Sequence, residues 1–172
     1  MKKIANFIDK ITSATGYILN YICLIMILLG FTNAILRKLS QYFGVNLTSN
    51  MYFEMQWYLF ALIFAYGFSY ALLHKEHVKI DIFYNRFSKK TQKRIDFLAG
   101  IFFFIPVSLL LCYLTYPMVL KSWVIKESSP DPNGLPRYPL KIAVLLGLFL
   151  LVLQSISETI KSWYSLRGED VS

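Results

Sequence analysis

Acidic side chains are scarce in this 172-residue chain: ten Asp and Glu stand against eighteen Lys and Arg, with only two histidines and two cysteines. Each shortage excludes something. Cys23 falls in the inner half of the first long apolar stretch and Cys112 in the outer half of the third. At a helical rise of ~1.5 Å per residue they differ in depth, so a disulfide is not expected, and both read as small apolar packing residues. His74 and His77 stand three apart in a strongly basic segment with no cysteine and no second ligand cluster. Electrostatics there oppose a bound cation, and no metal or other cofactor is expected. A haem would need axial ligands facing each other inside a bundle, whereas both histidines lie at or beyond one helix end. There is no nucleophile with a plausible base, no phosphate-cradling loop and no paired-carboxylate site, so the chain is not read as an enzyme. The net charge of +8 sits almost wholly in the connections between apolar stretches. It therefore describes membrane-flanking loops rather than a nucleic-acid-binding face.

What the chain does have is apolar length. Hydrophobic residues make up 56% of it, and they come in blocks too long for a soluble core. A helix needs roughly 20 mostly apolar residues to cross a bilayer, and four such blocks run from Ala14 to Leu36, Met51 to Leu73, Phe97 to Met118, and Ile142 to about Ile160. The expectation is an all-α membrane protein, a single integral domain over residues 1–172. Twelve of the eighteen basic residues lie before the first block, between the second and third, and after the fourth. Cytoplasmic loops carry the excess of Lys and Arg, so both termini and the middle connection are expected in the cytoplasm. The Met-Lys-Lys start leads into a stretch too long for a signal core and followed by no small-x-small cleavage site, so it is expected to stay as an anchor.

Several local signals refine this outline. Ser49 or Asn50 is placed to cap the second helix. Ala61, Ala65 and Ser69 recur every fourth residue and line one face, the pattern that lets another helix approach closely in lipid. We read that face as docking on a partner. Toward its outer end it reaches Tyr58 and Glu54, with Arg37 available as a counter-charge. Apolar residues interleave with basic ones between helices 2 and 3, from His74 to Lys90, which reads as an interfacial segment against anionic lipid. Pro106 is expected to kink the third helix unless neighbouring groups satisfy the carbonyl it frees. The following outer loop carries Pro130, Pro132 and Pro136, with Asn133-Gly134 and a further Pro139, which makes it a stiffened surface suited to binding rather than a flexible linker. Gln154, Glu158 and Lys161 form a polar stripe expected to face protein or headgroups. No Asp, Glu, Lys, Arg or His falls near the centre of any predicted helix, and the two halves share no inverted repeat, so the chain is not expected to carry a solute by itself.

The stretches Glu54-Met55-Gln56-Trp57-Tyr58-Leu59-Phe60, His77-Val78-Lys79-Ile80-Asp81, Glu127-Ser128 and Gly134-Leu135-Pro136-Arg137-Tyr138-Pro139-Leu140-Lys141 resemble the small membrane subunit, DctQ-like, of tripartite ATP-independent periplasmic (TRAP) transporters. The resemblance runs from helix 1 to helix 4. Lys79 departs from the family's more usual Arg and keeps the charge without the bidentate fork. It implies a sodium-coupled secondary importer, a symporter of small organic acids, in a bacterial inner membrane. In that assembly this chain braces a large translocating subunit and helps a periplasmic binding protein dock. Glu54, Trp57 and Tyr58, with Arg37, Ala61, Ala65 and Ser69, would contact the large subunit. His77, Lys79 and Asp81 would fix the cytoplasmic linker. Glu127, Ser128, Gly134, Leu135, Arg137 and Tyr138 would lie where the binding protein docks. Two other readings stay open on the residues alone: the membrane anchor of an oxidoreductase, and a lipid-interacting tetraspan protein without a solute partner.

Overall fold

The structure is a computed structural model and describes residues 2–45, 47–74, 84 and 87–167. The described residues form helices α1 (Lys2–Phe43), α2 (Asn50–Leu73), α3 (Lys89–Ala99), a π-helical turn (Gly100–Phe104), α4 (Ile105–Val124) and α5 (Arg137–Leu166). α3, the π turn and α4 run on as one rod, so four helices are long and apolar enough to cross a membrane. The expected all-α membrane architecture is what the chain adopts. The Lys2 end of α1 and the Leu166 end of α5 lie together at one end of the bundle, here called the terminal end; the turn from α1 into α2 and the 125–136 connection lie at the opposite, loop end.

α5 is the axis. A third of its most apolar window is buried, against 11–17% in the other three spans. α1 and α2 pack on each other and on α5, while α3, the π turn and α4 pack along α5 as well. Packing of this kind depends on small residues, because lipid supplies no hydrophobic drive between helices. Gly147 of α5 meets Ala65 so closely that a β-carbon there would lie 2.9 Å from the Ala65 Cβ and 3.1 Å from its carbonyl carbon. Gly100 likewise seats against Thr159. The Ala65 and Ser69 stripe is therefore spent inside the chain: these residues are 2% and 0% exposed. This corrects the reading of that face as a surface for a partner. The spacing signalled close approach, but the approaching helix is the chain's own α5.

Helix 1 is longer than its apolar core. It starts at Lys2 rather than Ala14, and its 42 residues extend for about 63 Å at ~1.5 Å each. Its first turns are amphipathic, with Ala5, Ile8, Thr12 and Gly16 buried at spacings of three and four. That stripe brings Asp9 to the polar residues of α5. Lys161 Nζ donates to Asp9 at 3.0 Å and also pairs with Glu158. Ser157 and Gln154 donate to Asp9 at 2.9 and 3.0 Å, and the Thr12 hydroxyl donates to Gln154 at 2.7 Å. The polar stripe of the last helix thus faces α1, and the cluster fastens the first helix to the last. Every charge in it has a counter-charge or donor, as charges held partly away from water require.

The third span solves its proline differently from a simple kink. Pro106 has no N–H and cannot continue the α-helical ladder. The preceding turn widens into the π-helix Gly100–Phe104, with the Ile105 N–H reaching back to the Gly100 carbonyl, a local bulge of the kind that absorbs such a break. The interfacial segment expected between helices 2 and 3 lies mostly outside the described residues. Its last part, from Lys89, is already helical, capped by the Ser88 hydroxyl, which accepts from the Thr91 N–H at 3.3 Å.

Candidate functional site

The loop end is built around the first turns of α2 and the 125–136 connection. α2 begins at the Ser49 cap, whose hydroxyl accepts from the Met51 N–H at 3.3 Å. One turn on, Glu54 points toward the 125–136 connection and is 3% exposed. α4 ends in a tight reversal: the Lys126 N–H bonds the Trp123 carbonyl at 3.3 Å and the Glu127 N–H bonds the Ser122 carbonyl at 3.0 Å. This double bond is the Schellman arrangement, whose reversing residue takes a left-handed backbone and is most often glycine. Here that residue is Lys126, at φ 49°. Its ammonium lies 3.5 Å from the Trp123 ring centre and 4.9 Å from that of Tyr138, a cation–π contact that offsets backbone strain.

From there the chain forms a short antiparallel bridge between Ser128 and Pro136. The Arg137 N–H donates to the Glu127 carbonyl at 2.8 Å and the Ser129 N–H to the Leu135 carbonyl at 3.1 Å. At the tip the Gly134 N–H closes on the Asp131 carbonyl at 3.0 Å, with Asn133 at φ 59°, a conformation that Asn tolerates better than most residues. Pro130 and Pro132 stiffen the same turn.

Glu54 holds this loop. Its carboxylate accepts from the Ser129 hydroxyl and, at 2.5 Å, from the Leu135 N–H. The Tyr58 hydroxyl, one turn further, donates to the Leu135 carbonyl at 3.2 Å, and Asn50 reaches the Pro132 carbonyl at 3.5 Å. Gly134 is required by proximity: a β-carbon there would stand 2.3 Å from the Ser129 Cβ and 2.9 Å from Glu54 Oε1. Glu127 is tied separately, accepting from Lys141 Nζ at 2.5 Å.

Two sets of residues that the sequence reading kept apart, Glu54 and Tyr58 for one partner and the loop from Glu127 to Tyr138 for another, are thus joined in one intramolecular latch. Arg37 does not complete it. The groups that hold Glu54 come from the loop, with Arg137 at the start of α5 acting on it through space, while Arg37 lines a separate cleft with Lys38 and Gln56. Trp57 is 63% exposed on a different face of α2, Ala61 is half-buried, and Ser128 is exposed at the loop surface. His77, Lys79 and Asp81 lie outside the described residues. Sequence reading missed Ser129 and Lys141 here and Asp9, Thr12 and Ser157 at the terminal end. The three-and-four spacing of Ala5, Ile8 and Thr12 was the available signal for the last group; Ser129 carried none.

The Lys141 ammonium on Glu127 holds that carboxyl below the usual carboxylate range. A lowered folded-state value means the contact stabilises the loop above the unfolded value, ~4.3 for Glu, and fades as pH falls through the folded one. Protease protection of the 125–136 connection is accordingly expected to stay flat near neutrality and to drop on acidification below that range. Lys141→Met should remove this part of the acid dependence; an unchanged profile in the variant would assign it to other groups.

A set of apolar spanning helices whose polar side chains are fastened to one another at the two ends defines a multi-pass membrane protein. The family model for the DctQ component of tripartite ATP-independent periplasmic transporters matches residues 26–164, and the chain belongs to that family. It is the small membrane subunit of a TRAP transporter, a transporter component and not an enzyme, and such subunits work with a large membrane subunit and a periplasmic binding protein. Comparison with curated proteins and with solved structures gives no match.

Proposed function

We propose that this subunit braces the large translocating subunit of a sodium-coupled importer of small organic acids in a bacterial inner membrane, with both termini in the cytoplasm. The observation that carries the bracing role is the placement of charge. Among the described residues, the Asp, Glu, Lys and Arg side chains of the spanning helices gather at the two ends, where Asp9–Lys161 ties α1 to α5 and Glu54 ties α2 to the loop. A solute pathway calls for such groups near mid-depth; a brace calls for rigidity. The positive-inside bias supports the orientation, and it places the latched loop in the periplasm. There a stiff, exposed turn at Ser128, Asp131 and Asn133 suits docking of the binding protein with little ordering cost.

With Ala65 packed against α5 and Ser69 buried, the contact with the large subunit is assigned to the opposite side of α2. Trp57, Phe60 and Phe64 are 63%, 57% and 59% exposed there, and Phe64 packs edge-on against Phe68 with ring centres 4.5 Å apart. Rigid aromatic rows bring large contact area at low entropy cost. Co-purification tests this. Trp57→Ala with Phe64→Ala should reduce recovery of the large subunit by about tenfold, the usual order for losing interfacial anchors, while leaving helical content unchanged. Undiminished recovery would remove this face from the interface. Sodium-driven uptake by vesicles holding this chain alone would overturn the bracing role itself.

A further inference from the structure

The tip of the latched loop carries the chain's one Asn-Gly pair, Asn133-Gly134, and Asn133 is exposed there. Such a pair has a chemistry of its own. A glycine has no side chain to shield its backbone nitrogen, which can attack the side-chain amide of the asparagine before it. After the Gly134 N–H gives its proton to hydroxide, the nitrogen bonds to Asn133 Cγ. The bond from Cγ to the side-chain nitrogen breaks, and that nitrogen leaves as ammonia. Water then opens the resulting succinimide at one of its two carbonyls, which leaves aspartate or isoaspartate.

The latched loop blocks this reaction. The Gly134 N–H is bonded to the Asp131 carbonyl at 3.0 Å, so its proton is held and its nitrogen aims back into the turn. Pro132 cannot take a positive φ and Asn133 does, at 59°, which makes Asp131–Gly134 a type II turn. Ring closure requires the Asn133–Gly134 peptide plane to rotate out of that turn. Its surroundings resist the rotation. A β-carbon on Gly134 would stand 2.3 Å from the Ser129 Cβ and 2.9 Å from Glu54 Oε1, so there is little room to swing. The next residue is held at both backbone polar atoms, the Leu135 N–H by Glu54 and the Leu135 carbonyl by the Tyr58 hydroxyl.

We propose that Asn133 is a deamidation site gated by the latch. It keeps its amide while Glu54 holds the loop and converts to aspartate or isoaspartate when the loop opens. Either product adds a negative charge to the exposed tip. Isoaspartate also lengthens the backbone by one carbon, so the turn from Asp131 to Gly134 no longer closes in the same register. The latch thus preserves the chemistry of the tip as well as its shape, and a loop that has stayed open is marked irreversibly.

The test ages the full-length chain in detergent at mildly alkaline pH and follows the tryptic peptide Glu127–Arg137 by mass spectrometry, against unaged samples digested alongside. Isoaspartate is read by enzymatic methyl transfer to its carboxylate. Denatured wild type supplies the ungated rate, and native wild type should convert far more slowly. Glu54→Ala should convert about tenfold faster than native wild type, because conversion follows the population of open loop and losing a charged acceptor shifts that population by this order. Gly134→Ala opens the loop but sets a methyl beside the attacking nitrogen, so it should stay well below Glu54→Ala. Asn133→Gln should remove the signal in every background. Native wild type converting as fast as the denatured chain would overturn the gating. A Glu54→Ala chain no faster than wild type would overturn it too, and trypsin cleavage of the same samples then tells whether the loop opened without reacting or never depended on Glu54.

Discussion

Gly147→Leu is expected to separate α2 from α5 and to produce the largest loss of stability of any single change in the membrane-spanning part. The nearest atoms to a β-carbon at position 147 include the Ala65 carbonyl carbon at 3.1 Å, which is backbone and cannot turn aside. A single extra methyl in a packed interior typically costs about 1–3 kcal/mol, and a leucine side chain exceeds what rotamer adjustment absorbs. α5 is also the helix on which the others pack, so strain there spreads to the whole bundle. Thermal unfolding in detergent, followed by circular dichroism, should show a lower midpoint for Gly147→Ala and a much lower one, or loss of the folded chain, for Gly147→Leu. Ala65→Gly placed in the Gly147→Ala background should restore part of the midpoint, because the closest opposing atom is the Ala65 methyl at 2.9 Å. Absence of any rescue would mean that the two helices do not meet at these residues.

Glu54→Ala is expected to release the loop while leaving the helices in place. Without the carboxylate, the Leu135 N–H and the Ser129 hydroxyl lose their acceptor at a site with little access to water. An unmet donor there favours the open loop. Trypsin can cut after Lys126 and Arg137, which flank the latch, so cleavage should accelerate severalfold in Glu54→Ala. Glu54→Gln should fall between, since its amide retains one acceptor oxygen but turns a donor toward a donor. Gly134→Ala should reproduce the phenotype by a separate cause, the 2.3 Å approach to Ser129. The helical signal should be unchanged in all three. Protection equal to wild type in Glu54→Ala would show that the Ser128–Pro136 bridge holds the loop unaided.

Much of this was legible from residues in order. Four long apolar blocks could only become spanning helices, Ser49 and Asn50 together announced the start of α2, and Pro106 announced a break in the third span. Motifs around Glu54, His77 and Gly134 pointed to the family that the match over residues 26–164 then established. The misreadings share one cause. Ala65 and Ser69 advertised close approach but not which helix would approach. The polar stripe of Gln154, Glu158 and Lys161, by contrast, was read as facing protein or headgroups and does face protein; the order of residues left unnamed only Asp9, nearly the whole chain away. Glu54 was matched with Arg37 on nearness in sequence, whereas its donors come from positions 129 and 135.

The sequence by itself therefore determined that the chain lives in a membrane, how many times it crosses and which helix faces carry small or polar groups. These are local properties, set by the free energy of moving each segment from water into hydrocarbon and by the 3.6-residue period. Only the tertiary structure decided that the faces are satisfied internally. Pairing depends on which surfaces the folded chain brings within a few ångströms, and that closed Glu54 under its own loop and left the aromatic side of α2 facing outward.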